Sequence, residues 1–234
     1  MSSTLLIIPT YNESSNIPSL LEAIWKYVPD IHILIVDDNS PDGTGKIVKK
    51  LQESYVGKLH LLERAGKNGL GTAYIAGFRW GLEHHYAQMI QMDADFSHDP
   101  QVLPTMISNL KEHSFIIGSR YVKGGGTKNW SFIRKCISVL GSLYARTILG
   151  VNIHDFTGGF NGWQSKVLST IALNGIKSQG YSFQIEMKYR ASKAGFSHKE
   201  IPISFNERRS GQSKMSYRIV LEAIQAVWRI RMTP

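Results

Sequence analysis

Five short apolar runs alternate with four stretches of helical periodicity through the first half of this chain, and no other feature limits the fold as strongly. Residues 4–9, 32–37, 59–64, 89–93 and 115–119 read as strands. Residues 17–27, 44–55, 70–83 and 100–112, which lie between them, read as helices. Strands that alternate with helices imply an α/β fold: a mostly parallel sheet with helices on both faces.

In an open sheet of this kind, ligands bind beyond the carboxyl ends of the strands. Four of the expected ends carry polar clusters: Pro9-Thr10-Tyr11-Asn12-Glu13, Asp37-Asp38-Asn39-Ser40, Asp93-Ala94-Asp95 and Ser119-Arg120-Tyr121. Four such clusters at one edge point to a single site. Asp93 and Asp95 flank one small residue where a strand should run out. Hard cations such as Mg²⁺ or Mn²⁺ take carboxylate oxygens together with substrate phosphates, so this pair is a candidate metal site facing a diphosphate. After the second strand, Asp42-Gly43 makes a turn and Thr44 starts a helix, which leaves Asp37 and Asp38 without a structural task. Asp38 is therefore a candidate for hydrogen bonding a nucleotide base or sugar. Tyr11 offers a ring face to a base and Glu13 an acceptor to ribose hydroxyls, while Asn12 or Ser14 would cap the next helix. Asn68-Gly69-Leu70-Gly71 lacks the Lys-Ser/Thr of a triphosphate loop and reads as a helix start that approaches the site. His98 reads as a loop residue.

A formal net charge of +9 over 234 residues asks for an anionic partner. The basic residues concentrate at 120–135 and 208–231, which argues against a uniform nucleic-acid coat. Cys136 is the one cysteine, so no internal disulfide forms and a reducing compartment is expected. Thr4 already belongs to the first expected strand and no basic leader precedes it, so no signal peptide is expected. No run of about 18 or more apolar residues appears, so no membrane-spanning helix is expected.

Five motifs occur in order: Pro-Thr-Tyr-Asn-Glu from Pro9, Val-Asp-Asp-Asn-Ser-Pro-Asp-Gly-Thr from Val36, Asn-Gly-Leu-Gly-Thr-Ala from Asn68, Met-Asp-Ala-Asp-Phe-Ser-His-Asp-Pro from Met92, and Gly-Ser-Arg-Tyr-Val-Lys-Gly-Gly from Gly118. Later come Asp155-Phe156-Thr157-Gly158-Gly159-Phe160, Gly180-Tyr181-Ser182-Phe183-Gln184-Ile185-Glu186-Met187, Ile201-Pro202-Ile203 and the run from Glu207 to Met215. Together they resemble glycosyltransferase family 2, and within it the polyprenol (dolichol) phosphate mannosyltransferases, over nearly the whole chain. The resemblance implies an A-type glycosyltransferase fold in one domain, residues 1–234. Residues 1–120 would form the nucleotide-sugar half and 121–234 the acceptor half. It implies transfer of mannose from GDP-mannose to a polyprenyl or dolichyl phosphate with inversion, aided by Mg²⁺ or Mn²⁺. By motif position, Pro9, Tyr11, Glu13, Val36 and Asp38 would line the nucleoside. Asp93, Ala94 and Asp95 would serve the sugar diphosphate, with Asp93, Asp95 and Gln184 as metal ligands. Arg120, Arg134 and Ser138 would hold the acceptor phosphate, and Arg208 and Lys214 would close over the donor diphosphate. One departure is Asn161, where many relatives carry Arg or Lys; an anion contact from that position is not expected here.

A phosphate monoester is largely dianionic at pH 7, with a second pKa of about 6, so this acceptor needs no general base. Bringing it to an anionic nucleotide sugar instead demands cations, and Asp95, Arg120, Arg134, Arg208 and Lys214 are the expected catalytic set. Glycines 124–126 and residues 210–213 read as segments that order when donor and metal bind. Residues 130–149 read as a basic amphipathic helix at a bilayer interface, and residues 217–229 read equally as a core helix. The expected location is peripheral, on the cytoplasmic side of a membrane (in the endoplasmic reticulum or a bacterial cytoplasm according to source), with or without an anchoring subunit. A UDP-glucose-dependent polyprenyl phosphate glucosyltransferase and a basic nucleic-acid-binding module are the alternatives.

Overall fold

Alternate side chains of the first strand face opposite ways, and both sets are apolar and fully buried. Leu5 and Ile7 join one hydrophobic cluster, Leu6 and Ile8 the other. A strand with two dry faces belongs in the middle of a covered sheet. The computed structural model describes residues 4–176, 178–206 and 217–232, with side chains omitted for 217–223. In chain order the elements are β1 (Thr4–Thr10), α1 (Ile17–Tyr27), β2 (His32–Asp37), α2 (Thr44–Gln52), β3 (Leu59–Glu63), α3 (Leu70–Glu83), β4 (Gln88–Gln91), α4 (Leu103–Asn109), β5 (Phe115–Ser119), β6 (Gly126–Thr127), α5 (Phe132–Leu149), β7 (Asn161–Gln164), α6 (Ser165–Thr170), α7 (Gly180–Lys193), β8 (His198–Pro202), β9 (Ser204–Phe205) and α8 (Tyr217–Met232).

Among the described residues, seven strands form one sheet in the order β3-β2-β1-β4-β7-β5-β8. All neighbouring pairs are parallel except those of β7, which is antiparallel to β4 and β5. The mostly parallel sheet agrees with the sequence reading, and β7 was not foreseen. α3, α5, α6 and α7 cover one face, while α1, α2 and α4 cover the other. Strands from both halves of the chain enter this one sheet. Because β7 runs backwards, its first residue, Asn161, comes to the edge where the parallel strands end.

α3 lies close on the sheet because Gly77 and Gly81 have no side chain to hold it off. A Cβ on Gly77 would stand 2.5 Å from Ile7 Cγ2, and one on Gly81 would stand 2.6 Å from Met89 Sδ. Several bounds differ from expectation. β4 ends at Gln91, so Asp93 lies in the loop beyond it. The expected helix 100–112 is a 3₁₀ turn at Pro100–Val102, capped by Asp99, followed by α4. Pro104 lacks the N–H that a continuous helix would donate to the carbonyl of Pro100. The helix after the first loop starts at Ile17 with Asn16 at its N-cap, and neither Asn12 nor Ser14 caps it.

Candidate active site

Three corners meet at the carboxyl edge. At the first, Asp37 has the structural task the sequence reading denied it. It accepts from Thr10 Oγ1 at 2.7 Å, Ser40 N at 2.9 Å and Ser40 Oγ at 2.6 Å, fastening the loop after β2 to β1. Asp42 does the same from further along. It accepts from Ser14 N, Thr44 N and Thr44 Oγ1, and Glu13 N donates to that same Thr44 hydroxyl. Burial acts upward on Asp42, but these hydrogen bonds outweigh it and bring the carboxyl down to about 2.

Asp38 is buried beside Arg64. It is 6% exposed, and Arg64 Nη1 lies 3.0 Å from its Oδ1 but out of line for a hydrogen bond. Burial raises the Asp38 pKa, with the Arg64 charge acting against it. Tyr11 is 38% exposed, and Lys67 Nζ stands 3.9 Å from its ring centroid. Pro9 is half-buried. Glu13 lies beside them, its Oε2 accepting from Asn16 Nδ2 at 2.7 Å. Val36 is a correction: its side chain is fully buried in the core under Gly77, because β2 turns that face to α3, so it cannot line a nucleoside.

Asp93-Ala94-Asp95 makes the second corner. Asp95 is 8% exposed, and its Oδ1 accepts from Ser97 N at 3.0 Å. Asp93 Oδ1 accepts from the Tyr74 hydroxyl at 3.1 Å. Ala94 between them is buried. His98 is more than a loop residue. It is 2% exposed, its Nδ1 accepts from Asp93 N at 3.2 Å, and its ring stacks on Phe160. Burial, with Asp93 and Asp95 adding to it, raises the Tyr74 hydroxyl pKa well above 10, so Tyr74 stays a hydrogen-bond donor to Asp93. α3 joins the first two corners. Thr72 on its first turn accepts from Arg64 Nη2 at 2.7 Å, and Tyr74 reaches Asp93.

Gln184 is a second correction. It is 3% exposed, and its Oε1, the atom a metal would need, accepts from Asn161 Nδ2 at 3.0 Å. Asn161 also donates to Gly158 O, so its amide is used inside the protein.

Arg120 anchors the third corner. It is 5% exposed, and its Nε and Nη2 are held by Asp155 and Thr157. Nε reaches Asp155 Oδ2 at 2.7 Å, Nη2 reaches Oδ1 at 2.6 Å and Thr157 Oγ1 at 2.7 Å. Burial acts upward on Asp155, yet the Arg120 charge and hydrogen bonds hold it below the usual carboxylate range. Three further polar side chains lie one step on. The Tyr121 hydroxyl donates to Ser138 Oγ at 2.6 Å, and the Arg134 guanidinium sits 4.0 Å from the Trp130 ring centroid. Phe205 ties this corner to the second, since its ring touches those of His98 and Trp130 and lies 5.7 Å from the Arg120 guanidinium. The glycine run 124–126 is pinned: Gly126 N donates to Ile203 O, and β6 pairs with β9. Arg208, Lys214 and residues 210–213 lie outside the described residues.

Sequence reasoning missed Arg64, Thr72, Tyr74, Phe205 and Lys188. Thr72 lies inside the Asn-Gly-Leu-Gly-Thr-Ala motif and Tyr74 follows it directly, which was a usable signal; Arg64, Phe205 and Lys188 carry none.

A family model described as glycosyl transferase family 2 matches residues 5–171. A polyprenol monophosphomannose synthase of Mycolicibacterium smegmatis is 44% identical over 231 residues, covering 97% of this chain and 87% of that protein. An undecaprenyl-phosphate mannosyltransferase of Micrococcus luteus is 46% identical over 225 residues, covering 96% and 92%. A crystal structure of Mycobacterium tuberculosis glucosyl-3-phosphoglycerate synthase, in complex with Mn²⁺, UDP and phosphoglyceric acid, superposes with a TM-score of 0.70 at 14% identity, covering 99% of this chain and 79% of that one.

Proposed function

The chain belongs to glycosyl transferase family 2, and we propose that it transfers mannose from GDP-mannose to the phosphate of a polyprenyl phosphate, inverting the anomeric carbon. The observation that carries this reading is the 44–46% identity, over almost the whole chain, to two enzymes named for mannose and a polyprenol phosphate.

The first corner takes the nucleoside, with Tyr11 against the base and Asp38 accepting hydrogen bonds. Asp93 and Asp95 fit a hard divalent cation. They are two carboxylates presented at a strand end, each oriented by a donor from its own surroundings. No group of three His, Cys, Asp or Glu among the described residues could hold a metal alone. The remaining ligands would then come from the donor diphosphate and water, which suits Mg²⁺ or Mn²⁺. Such an ion, when bound, would neutralise charge on the leaving diphosphate.

Arg134 and Ser138 receive the acceptor phosphate. Ser138 already accepts from Tyr121, which leaves its own proton to donate. The dianionic phosphate oxygen attacks the anomeric carbon in line as the nucleoside diphosphate departs, so an α-linked donor yields a β-linked product. No side chain has to remove a proton; positioning and charge carry the rate. Arg208 and Lys214 are assigned to the departing diphosphate.

The lipid is reached from the surface, since no helix among the described residues is long and apolar enough to cross a membrane. α5 carries Phe132, Ile133, Leu140 and Leu143 at 80%, 71%, 61% and 52% exposure. α8 packs beside it and exposes Ile224, Trp228 and Met232. Resting in a bilayer interface would bury this face while Arg134, at its head, stays at phosphate level.

The test is a donor screen with radiolabelled GDP-mannose and UDP-glucose against a short polyprenyl phosphate, with free polyprenol as control, each with and without chelator. Label from GDP-mannose should enter the lipid phosphate only when Mn²⁺ or Mg²⁺ is present, and Asp95→Asn should abolish it. Preference for UDP-glucose would overturn the donor, equal use of free polyprenol the acceptor, and full Asp95→Asn activity in chelator the metal.

A further inference from the structure

A lysine that no water reaches lies beneath the acceptor corner. Lys188, on α7, is 0% exposed, and its ammonium donates to three backbone carbonyls of one loop. The distances are 2.9 Å to Asp155 O, 3.1 Å to Phe156 O and 2.8 Å to Gly158 O. Three donors meeting three acceptors leave no proton of the ammonium unused. The loop so gathered carries Asp155 and Thr157, the two residues whose side chains hold Arg120. Asp155 also accepts from Arg120 N at 2.9 Å, which fixes the backbone leading to Tyr121. Tyr121 in turn donates to Ser138.

We propose that Lys188 is a positioning residue for the acceptor phosphate: its charge gathers the 155–158 loop, and through Asp155 and Arg120 it sets Tyr121 and Ser138. The inference rests on the reading that Ser138 receives a lipid phosphate. Two further observations support it. Glu200 grips the other side of the same loop, accepting from Asp155 N at 3.0 Å and His154 N at 2.8 Å, so the loop is held from both sides. And keeping Lys188 charged is costly, since burial lowers it to about 7 even with the Asp155 and Glu200 carboxylates opposing. A group that only had to fill this volume would be apolar.

Acceptor and donor KM are measured separately for the wild type, Lys188→Gln and Thr157→Val, using a short polyprenyl phosphate, with thermal melting as the fold control. Lys188→Gln keeps amide donors and removes the charge. It should raise acceptor KM about tenfold and leave donor KM unchanged, whatever it does to melting. Thr157→Val cuts one link between loop and Arg120 and should raise acceptor KM by less; in the double variant the two effects should not add, because they act along one path. A lowered melting temperature with both KM values intact, or an equal rise in both, would reduce Lys188 to a structural residue. Should Lys188→Gln not fold, an unchanged acceptor KM in Thr157→Val overturns the proposal by itself. A wild type that ignores polyprenyl phosphate defeats the acceptor reading and this inference with it, whereas an active wild type with unmoved variants defeats this inference alone.

Discussion

Asp155→Asn keeps the size of the side chain and removes its charge, at a site with no exposed surface. In the wild type the carboxylate accepts four hydrogen bonds. Arg120 N and Nε go to Oδ2, and Arg120 Nη2 and Gly158 N go to Oδ1. An asparagine has one oxygen, so it can serve two of these donors. The other two would face an NH₂ group, itself a donor. Arg120 would meanwhile stay buried without its counter-charge, with Lys188 adding a second buried cation. Breaking a buried ion pair by removing one partner costs about 3–5 kcal/mol. For a chain of this size, each kcal/mol is worth about 2–4 °C of melting temperature, so a drop of about 10 °C is expected. Circular dichroism melts and urea titrations at pH 7 would read both quantities.

The pH dependence of that difference follows from the same geometry. Asp155 is held below its ordinary value of 3.8, so its contribution is complete above that pH and is lost as pH falls through the depressed folded value. The gap between wild type and Asp155→Asn should therefore persist down to about pH 5 and close only in stronger acid. It should first widen below about pH 7, because Asp155, present only in the wild type, favours the charged form of Lys188 against the burial that lowers it to about 7. An Asp155→Asn protein that melts within about 2 °C of wild type would refute the argument, because it would mean that Arg120 finds another counter-charge or water.

Tyr74→Phe removes the hydroxyl that orients Asp93 without opening a cavity. It should raise the Mn²⁺ concentration for half-maximal activity about fivefold, the equivalent of one hydrogen bond, with the fold unchanged; an unchanged metal titration would remove Tyr74 from the site. Gly77→Ala would place a Cβ 2.5 Å from Ile7 Cγ2, so α3 must shift and urea denaturation should show a loss of about 1–3 kcal/mol. Asp42, brought down to about 2 from 3.8, should contribute fully above pH 3.8 and lose its contribution as pH falls through about 2. Because Asp42 is exposed, Asp42→Ala should cost only about 1 kcal/mol at neutral pH, and its deficit should shrink below pH 3 in acid-unfolding curves.

The parts of the fold legible in the sequence were those written in local periodicity. β1 to β5 and α1 to α3 appear where apolar spacing puts them, because each strand or helix there buries its own pattern. β7 was invisible for a physical reason. Asn161-Gly162-Trp163-Gln164 has no alternating pattern, and it is a strand only because β4 and β5 on either side supply its hydrogen bonds. Gly162 lets it enter, since a Cβ there would stand 2.9 Å from Leu110 Cδ1.

The site divides along the same line. Asp38, Asp93 and Asp95 stand at strand ends, where one segment suffices to place them. Arg120 also stands at a strand end, but its partner Asp155 lies 35 residues on, in a loop whose carbonyls accept from Lys188, 33 residues beyond that. A motif shows which charge is present but not which charge opposes it after folding. Arg120 and Asp155 neutralise one another, and Lys188 is opposed by Glu200, which grips the same loop, so the buried cluster carries no surplus charge. Under the proposed acceptor role, Arg120 contributes as part of this scaffold, through its backbone to Tyr121 and on to Ser138.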